Sequence, residues 1–244
     1  MQLLKSKWFI VVGEQRGPGF DDVSYPAFSP DGNRLAYAAS QDNKWFIVIG
    51  DQRGPAFDFV GTPVFSPDGK LLAYRAKQNH KWFIVLGDKR GPEFGMVMTP
   101  VFSPDGKRVA YRAWQGGTGS IVVGDKRGPE FKEVGPPIFS PDGKTVAHAA
   151  TQDNKWFIVI GDQRGPQLDF LVGDLVFDPV GVKVAYFALH GTAFQGNKFF
   201  VVIGDKRGPE FDEVGPPIFS PDGNKVAYGA RLGRELWWKV MDVR

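Results

Sequence analysis

One pentapeptide recurs along the chain, and it limits the fold more than any other feature. Phe-Ser-Pro-Asp-Gly stands at 28–32, 65–69, 102–106, 139–143 and 219–223, with Phe177-Asp-Pro-Val-Gly181 as a degenerate copy, at intervals of 37, 37, 37, 38 and 42 residues. A second marker, Gly-Asp-(Gln/Lys)-Arg-Gly-Pro, begins at Gly50, Gly87, Gly124, Gly161 and Gly204, and is preceded by Gly13-Glu-Gln-Arg-Gly-Pro18. Periods of this size mark one supersecondary unit, copied and stacked. Some copies are nearly verbatim, since residues 41–55 and 152–166 are identical. No composition shift or linker interrupts them. The span 1–244 is therefore expected to be a single domain of six repeats of about 37–43 residues.

Within one unit the apolar pattern predicts four short strands, at 62–66, 71–76, 81–87 and 94–97. Between the first two, Ser-Pro-Asp-Gly supplies a turn-starting Ser, a Pro with preset φ and a Gly able to adopt the left-handed conformation. The third strand, Trp-Phe-Ile-Val-Ile in two copies, is apolar at successive positions and so needs cover on both faces. In the second strand Leu72 and Tyr74 alternate with Ala73, and Val109 and Tyr111 with Ala110. Pro26, Pro63, Pro100, Pro137 and Pro217 open the first strand, where a missing N–H is tolerated on an edge. Four-stranded antiparallel sheets that cannot bury their faces alone are satisfied by radial stacking, which predicts an all-β, six-bladed β-propeller.

The repeated Phe-Ser-Pro-Asp-Gly-Lys followed by Leu/Val-Ala-Tyr resembles the WD-like Pro-Asp blade repeat of the TolB-type propeller family, over essentially the whole chain. That resemblance implies a six-bladed propeller and a role in protein interaction. The 244 residues hold neither the α/β domain that precedes the propeller in TolB nor the hydrolase domain that accompanies similar blades in prolyl oligopeptidase-like enzymes. The chain begins with a third strand (7–13) and a fourth (20–23) and finishes with another third strand (236–242), so the ring is expected to be closed by both termini. Residues 20–23 would supply the outer strand after 236–242. One third strand is then surplus: it adds a fifth strand, competes for one slot, or offers an edge to a second molecule.

Chemistry is sparse. Thirty Lys and Arg against 27 Asp and Glu give a net charge of +3, too small an imbalance to imply nucleic acid. There is no Cys, hence no disulfide framework, thiolate metal cage or Cys nucleophile. Apolar runs such as 45–49 are too short to span a bilayer, so no membrane insertion is expected. Location follows from the start: cytoplasmic if Met1 is native, periplasmic or secreted if a signal was removed. His80, His148 and His190 lie in no metal-ligand spacing, and no nucleophile elbow or phosphate-cradling loop is present. Neither catalytic residues, metal nor cofactor are predicted. His148 replaces the repeat's Tyr and reads as a packed core residue, while Gly116-Gly-Thr-Gly119 reads as a plain hairpin loop. The loop arginines Arg16, Arg53, Arg90, Arg127, Arg164 and Arg207 could form an anion-binding ring, but paired charges with the acidic residue two positions earlier explain them better.

Departures from the repeat are the better guide to function, because whatever merely folds a blade should recur in every blade. Arg75 and Arg112 occupy a slot that other repeats fill with Ala38, Ala149, Phe187 and Gly229. Trp114 begins one variable loop, and the longest, 189–198, carries His190 and Phe194. Arg75, Arg112, Trp114, His190 and Phe194 are thus the candidate contacts for a protein, peptide or small polar ligand. The function expected is a non-catalytic binding module. The alternatives are a hydrolase or lyase working at the channel mouth and a repeat scaffold without a ligand.

Overall fold

The computed structural model describes residues 6–190 and 198–243. Every regular element among them is a strand, every strand pairing is antiparallel, and no helix long and apolar enough to cross a membrane is present. The strands form six sheets of four or five strands and one two-stranded hairpin. Contacts divide the chain into two compact units, Met1–Gly117 with Val122–Gly128 and Thr118–Ile121 with Pro129–Arg244, and each is described by itself.

The first unit opens with the hairpin Val11–Val12 and Gln15–Arg16. Sheet 1 holds Asp22–Phe28, Leu35–Gln41, Lys44–Ile49 and Gln52–Arg53 in that order. Sheet 2 holds Phe59–Val60, Val64–Phe65, Leu72–Gln78, Lys81–Leu86 and Lys89–Arg90, and the first half of sheet 3 holds Met96–Val97, Val101–Phe102 and Val109–Gln115. In the second unit, sheet 4 spans Glu133–Val134 to Gln163–Arg164, sheet 5 spans Phe170–Phe177 to Lys206–Arg207, and sheet 6 spans Glu213–Val214 to Glu235–Asp242. Where Pro63, Pro100, Pro137 and Pro217 stand, the first strand is broken into two short pieces. In sheets 1 and 5 it is continuous, with a bulge at Ser24/Ala27 and at Val172/Val176.

The fourth strand is not where the sequence pattern put it. The outermost strand of sheet 2 is Lys89–Arg90, paired with Val85 and Leu86, whereas Met96–Val97 pairs with Ala113 and Trp114 of sheet 3. Gly87, at φ 56°, turns the chain back so that the Lys-Arg dipeptide completes its own sheet. Phe94 then bridges Trp82 through two backbone hydrogen bonds and carries the chain into the next sheet. The same logic corrects the expected exchange between the chain ends. Phe20 bridges Trp8, and Asp22 and Val23 pair with Ser40 and Ala39, so residues 20–23 are engaged in sheet 1.

Each turn between first and second strands is built alike. In sheet 2, Ser66 Oγ donates to Asp68 Oδ1 at 2.6 Å and accepts from Leu71 N at 2.9 Å, Lys70 N donates to the same carboxylate, and Gly69 sits at φ 70°. In the degenerate copy a buried carboxylate takes the serine's place: Asp178 Oδ1 accepts from Val182 N at 2.7 Å and Lys183 N at 3.0 Å. Between second and third strands, Asp42-Asn43, Asn79-His80 and Asp153-Asn154 hold positive φ at both positions, the geometry of a tight two-residue hairpin.

An aromatic knot joins the strands of sheets 1, 2 and 4, part of it recurs as Phe94–Tyr111 in sheet 3 and Phe211–Tyr228 in sheet 6, and Leu168 takes the bridging place in sheet 5. In sheet 2 the bridging Phe57 lies edge-on to Tyr74 at 6.5 Å and to Phe83 at 5.5 Å, and the Arg90 guanidinium caps Phe83 at 3.8 Å. Sheet 1 repeats it with Phe20, Tyr37, Phe46 and Arg53, and sheet 4 with Phe131, His148, Phe157 and Arg164. In sheet 6, which has no arginine loop, Lys239 stands over Phe211 instead.

These turns make the fold acid-sensitive. Asp31, Asp68, Asp105, Asp142 and Asp222 are held below the ordinary value of 3.8, first by the serine hydroxyl and then by a backbone N–H, with Asp222 at about 2. A carboxyl whose folded value is lowered adds stability above its unfolded value and loses it as pH falls through the folded one. The carboxylate contribution to the urea-unfolding midpoint is therefore expected to hold above about pH 4 and to decline between about pH 4 and pH 2, and Asp68→Asn should reduce that slope.

Candidate functional site

The place to look is where the repeat is broken, on sheets 2 and 3 of the first unit. Arg75 lies at the middle of Leu72–Gln78 and Arg112 at the equivalent place of Val109–Gln115, so both are half-buried strand residues and not loop-tip groups. Trp114 is also within its strand, half-buried and in register with the exposed Met96. The structure brings the three together. Arg75 Nη1 reaches toward the carbonyl of Val97 at 3.5 Å, Val97 pairs with Ala113, and the Arg112 guanidinium stands 5.7 Å from the Trp114 ring.

Arg75 is held by rings more than by acceptors. Its guanidinium lies 5.2 Å from Trp82 and 5.8 Å from Phe59, and Lys77 Nζ is 5.5 Å from the same indole. Phe59 meets Trp82 edge to face at 5.5 Å and lies tilted to Trp45 at 6.1 Å, extending the row into sheet 1. The buried Nε of Arg75 has no hydrogen-bond partner, an arrangement that costs about 1–3 kcal/mol unless an acceptor is supplied. Burial pulls the Arg112 guanidinium below its ordinary value, and the group stays charged.

Space for Arg75 comes from a missing side chain. A Cβ on Gly61, on the neighbouring strand, would lie 2.7 Å from both Cγ and Nε of Arg75. Sheet 5 uses the same device with Gly173 beneath Phe187, and sheet 6 sets Gly215 beside Gly229, leaving a slot with no side chain in it. Gly61→Ala is expected to destabilise the fold by about 1–3 kcal/mol through overpacking. In an Arg75→Ala background the same change should be close to neutral, a coupling that a double-mutant cycle in urea measures.

Sequence reasoning missed Trp45, Phe59, Trp82 and Met96. The signal was available at the position before the inward Val, where Asp22, Glu133 and Glu213 stand in other sheets but Phe59 and Met96 stand here. Of the remaining candidates, His190 belongs to the second unit, where it ends Val184–His190 in register with Lys198. Phe194 lies outside the described residues. The loop arginines are occupied by ring contacts: Arg16 over Phe9, Arg53 over Phe20 and Phe46, Arg90 over Phe83, Arg127 over Phe94, Arg164 over Phe131 and Phe157, and Arg207 over Phe200. Arg90 and Arg207 also pair with Glu93 and Glu210, and Arg53 and Arg164 donate to Gln41 and Gln152, so these four are shared between rings and polar partners.

His148 is a buried member of the sheet 4 knot, its Nδ1 3.0 Å from the Ala149 carbonyl. Burial pulls its pKa below 6.5, against a smaller opposite effect from that hydrogen bond. The unfolded chain therefore takes up a proton that the folded chain resists. Stability should fall as pH drops below about 6.5, and His148→Tyr, which restores the residue of the other sheets, should remove that part of the dependence in urea titrations.

Neither protein-family models nor curated proteins give a match to the chain. Among solved structures it is similar to the β-propeller domain of the Trilobed protease from Pyrococcus furiosus, described as having an open velcro topology, with a TM-score of 0.51 and 17% identity over 91% of this chain and 83% of that one. It is also similar to a putative dipeptidyl aminopeptidase IV from Bacteroides ovatus, with a TM-score of 0.52 and 12% identity over 98% of this chain and 50% of that one. TolB from Acinetobacter baumannii aligns at 20% identity and a TM-score of 0.41, over 91% of this chain and 61% of that one. The likeness identifies the architecture as that of β-propellers.

Proposed function

We propose that the chain is a six-bladed propeller of the TolB-like type, a single domain over 1–244, that acts as a non-catalytic binding module for a carboxylate-bearing protein or peptide segment. The six sheets supply the blades. The reading does not require the two chain ends to share one blade, since Phe20 and the strand Asp22–Phe28 are used within the first unit.

One observation carries the function: Arg75 is a cation set beside a pair of aromatic rings with a buried, unpartnered Nε, a step away from Arg112 and Trp114. A fully structural arginine would be closed off by acceptors of its own sheet. A peptide carboxylate reaching the outer nitrogens of this guanidinium adds charge-assisted hydrogen bonds there, while Met96 and the Trp114 ring offer apolar contact beside it. Lys77 adds a second positive charge at the rim.

The test is a fluorescence-anisotropy comparison of acidic peptides containing Asp, Glu and an aromatic residue with Lys-rich counterparts. The acidic set is expected to bind, with affinity that falls as salt rises. Arg75→Ala, and Arg112→Ala together with Trp114→Ala, should each weaken binding about tenfold or more while the thermal unfolding transition is retained. Acidic peptides that fail to bind, or that bind equally well to both variants, would overturn the reading.

A further inference from the structure

A carboxylate clasp recurs beside the bridging residues, and one copy of it lacks its acid. Lys44 and Asp58 stand opposite each other, next to the Trp45–Phe57 bridge. Lys44 Nζ donates to Asp58 Oδ1 at 2.6 Å, and Asn79, first in the following hairpin turn, donates its backbone N–H to Asp58 Oδ2 at 2.8 Å. Lys7, Asp21 and the Asp42 N–H repeat the arrangement at 2.8 and 2.9 Å, and in the second unit Lys198, Asp212 and the Gly233 N–H do the same. Lys155 pairs with Asp169 at 2.6 Å. The clasp favours an anion, since Asp58 and Asp212 are held below the ordinary 3.8 first by the lysine and then by the turn N–H.

Where sheet 2 leads into sheet 3, the lysine and the turn remain and the acid is gone. Lys81 stands beside the Trp82–Phe94 bridge, and the residue opposite it is Gly95. The turn that follows is Gly116-Gly117, both at positive φ. Gln115 Oε1 accepts from Gly95 N at 2.9 Å, but among the described residues no carboxylate is bonded to Lys81 Nζ or to the Gly116 N–H. The repeat departs differently at 118 and 132, where Thr118 replaces the lysine and Lys132 the acid, and Lys132 Nζ donates to Asn154. Lys81 is thus the clasp lysine left without an acid. All of these groups lie in the first unit, exposed, and Gly95 adjoins Met96, the residue paired with Trp114.

We infer that this vacancy is a second carboxylate subsite, filled by an acidic side chain of the same peptide segment whose first carboxylate meets Arg75; the inference rests on that reading of Arg75. The incoming carboxylate takes the place of the missing Asp, accepting from Lys81 Nζ and from the Gly116 N–H. Spacing follows from the strands. Gly116 lies four residues beyond Arg112, and Lys81 is in register with Gln78, three beyond Arg75, which puts the subsite about 10–13 Å along the sheet at about 3.3 Å per residue. An extended peptide spans that distance with acids three or four residues apart.

Anisotropy titrations of the full chain with labelled peptides test this. The peptides share an extended Gly-Ser frame with one Phe and carry a single Asp, a second Asp four residues away, or Asn at that second place. The two-acid peptide is expected to bind about threefold to tenfold more tightly than the Asn peptide, with a ratio that shrinks as salt rises. Lys81→Gln should cancel that ratio, and so should Gly95→Asp, which returns the clasp carboxylate to the chain. A Cβ on Gly95 would lie 3.2 Å from the Trp114 carbonyl, so Lys81→Gln, a surface change, keeps the test if the glycine variant folds poorly. Equal affinity for the two-acid and Asn peptides, or a ratio that survives the substitutions, overturns the inference. Single-acid binding that Arg75→Ala leaves untouched overturns the reading of Arg75, while the ratio alone decides the subsite; no binding by any peptide overturns both.

Discussion

The structure depends on the packing of an aromatic knot that is complete in sheets 1, 2 and 4 and partial in sheets 3 and 6. A bridging Phe, a second-strand Tyr and a third-strand Phe meet edge to face, as in Phe57, Tyr74 and Phe83, and a basic side chain closes the open side of the rings. Each such ring pair is worth about 0.5–1.5 kcal/mol beyond its buried area, and the cation adds roughly another 0.5–1 kcal/mol where it stays near water. A sheet of short strands needs a hydrophobic face or a packed neighbour for its stability. The knot is also where neighbouring sheets meet, since Ala36, Ala38 and Ile47 of sheet 1 lie in one cluster with Phe57, Tyr74 and Phe83. This double duty explains why Phe, Tyr and Arg recur at fixed places while loop residues drift.

Against that regular frame the exceptions acquire meaning. Two sheets carry an arginine where the others carry something uncharged, and the chain makes room for one of them by removing a side chain at Gly61. The guanidinium is then held beside Phe59 and Trp82 and left short of acceptors, a state that costs free energy. Sheet 6 is exceptional in the opposite sense. Its slot holds Gly215 and Gly229, and the bulk has moved to Trp238 on the solvent side. One departure leaves a guanidinium short of acceptors, and the other leaves a tryptophan exposed beside a groove.

Much of this was legible in the residues. The all-β class, the repeat length, the Ser-Pro-Asp-Gly turn and the packed role of His148 all follow from local chemistry, because turn geometry and strand periodicity are set within a few residues. Arg75, Arg112 and Trp114 were legible as deviations from the repeat. Their setting was not, for they lie within strands and gain their character from Phe59, Trp82 and the Val97 carbonyl, which belong to other strands or to the next sheet.

The sequence by itself determined the repeated unit, its turns and the face that each strand must bury, since those depend on φ preferences and on the alternation of apolar residues. Tertiary structure alone decided which dipeptide completes a sheet. Phe94 and Met96–Val97 have strand-like composition in either assignment, yet the two backbone hydrogen bonds between Phe94 and Trp82 and the turn at Gly87 give the outer edge to Lys89–Arg90 and send Met96–Val97 to the next sheet. It also decided that the loop arginines cap rings, because a guanidinium meets whatever the fold places above it, and spacing along the chain does not say what that is.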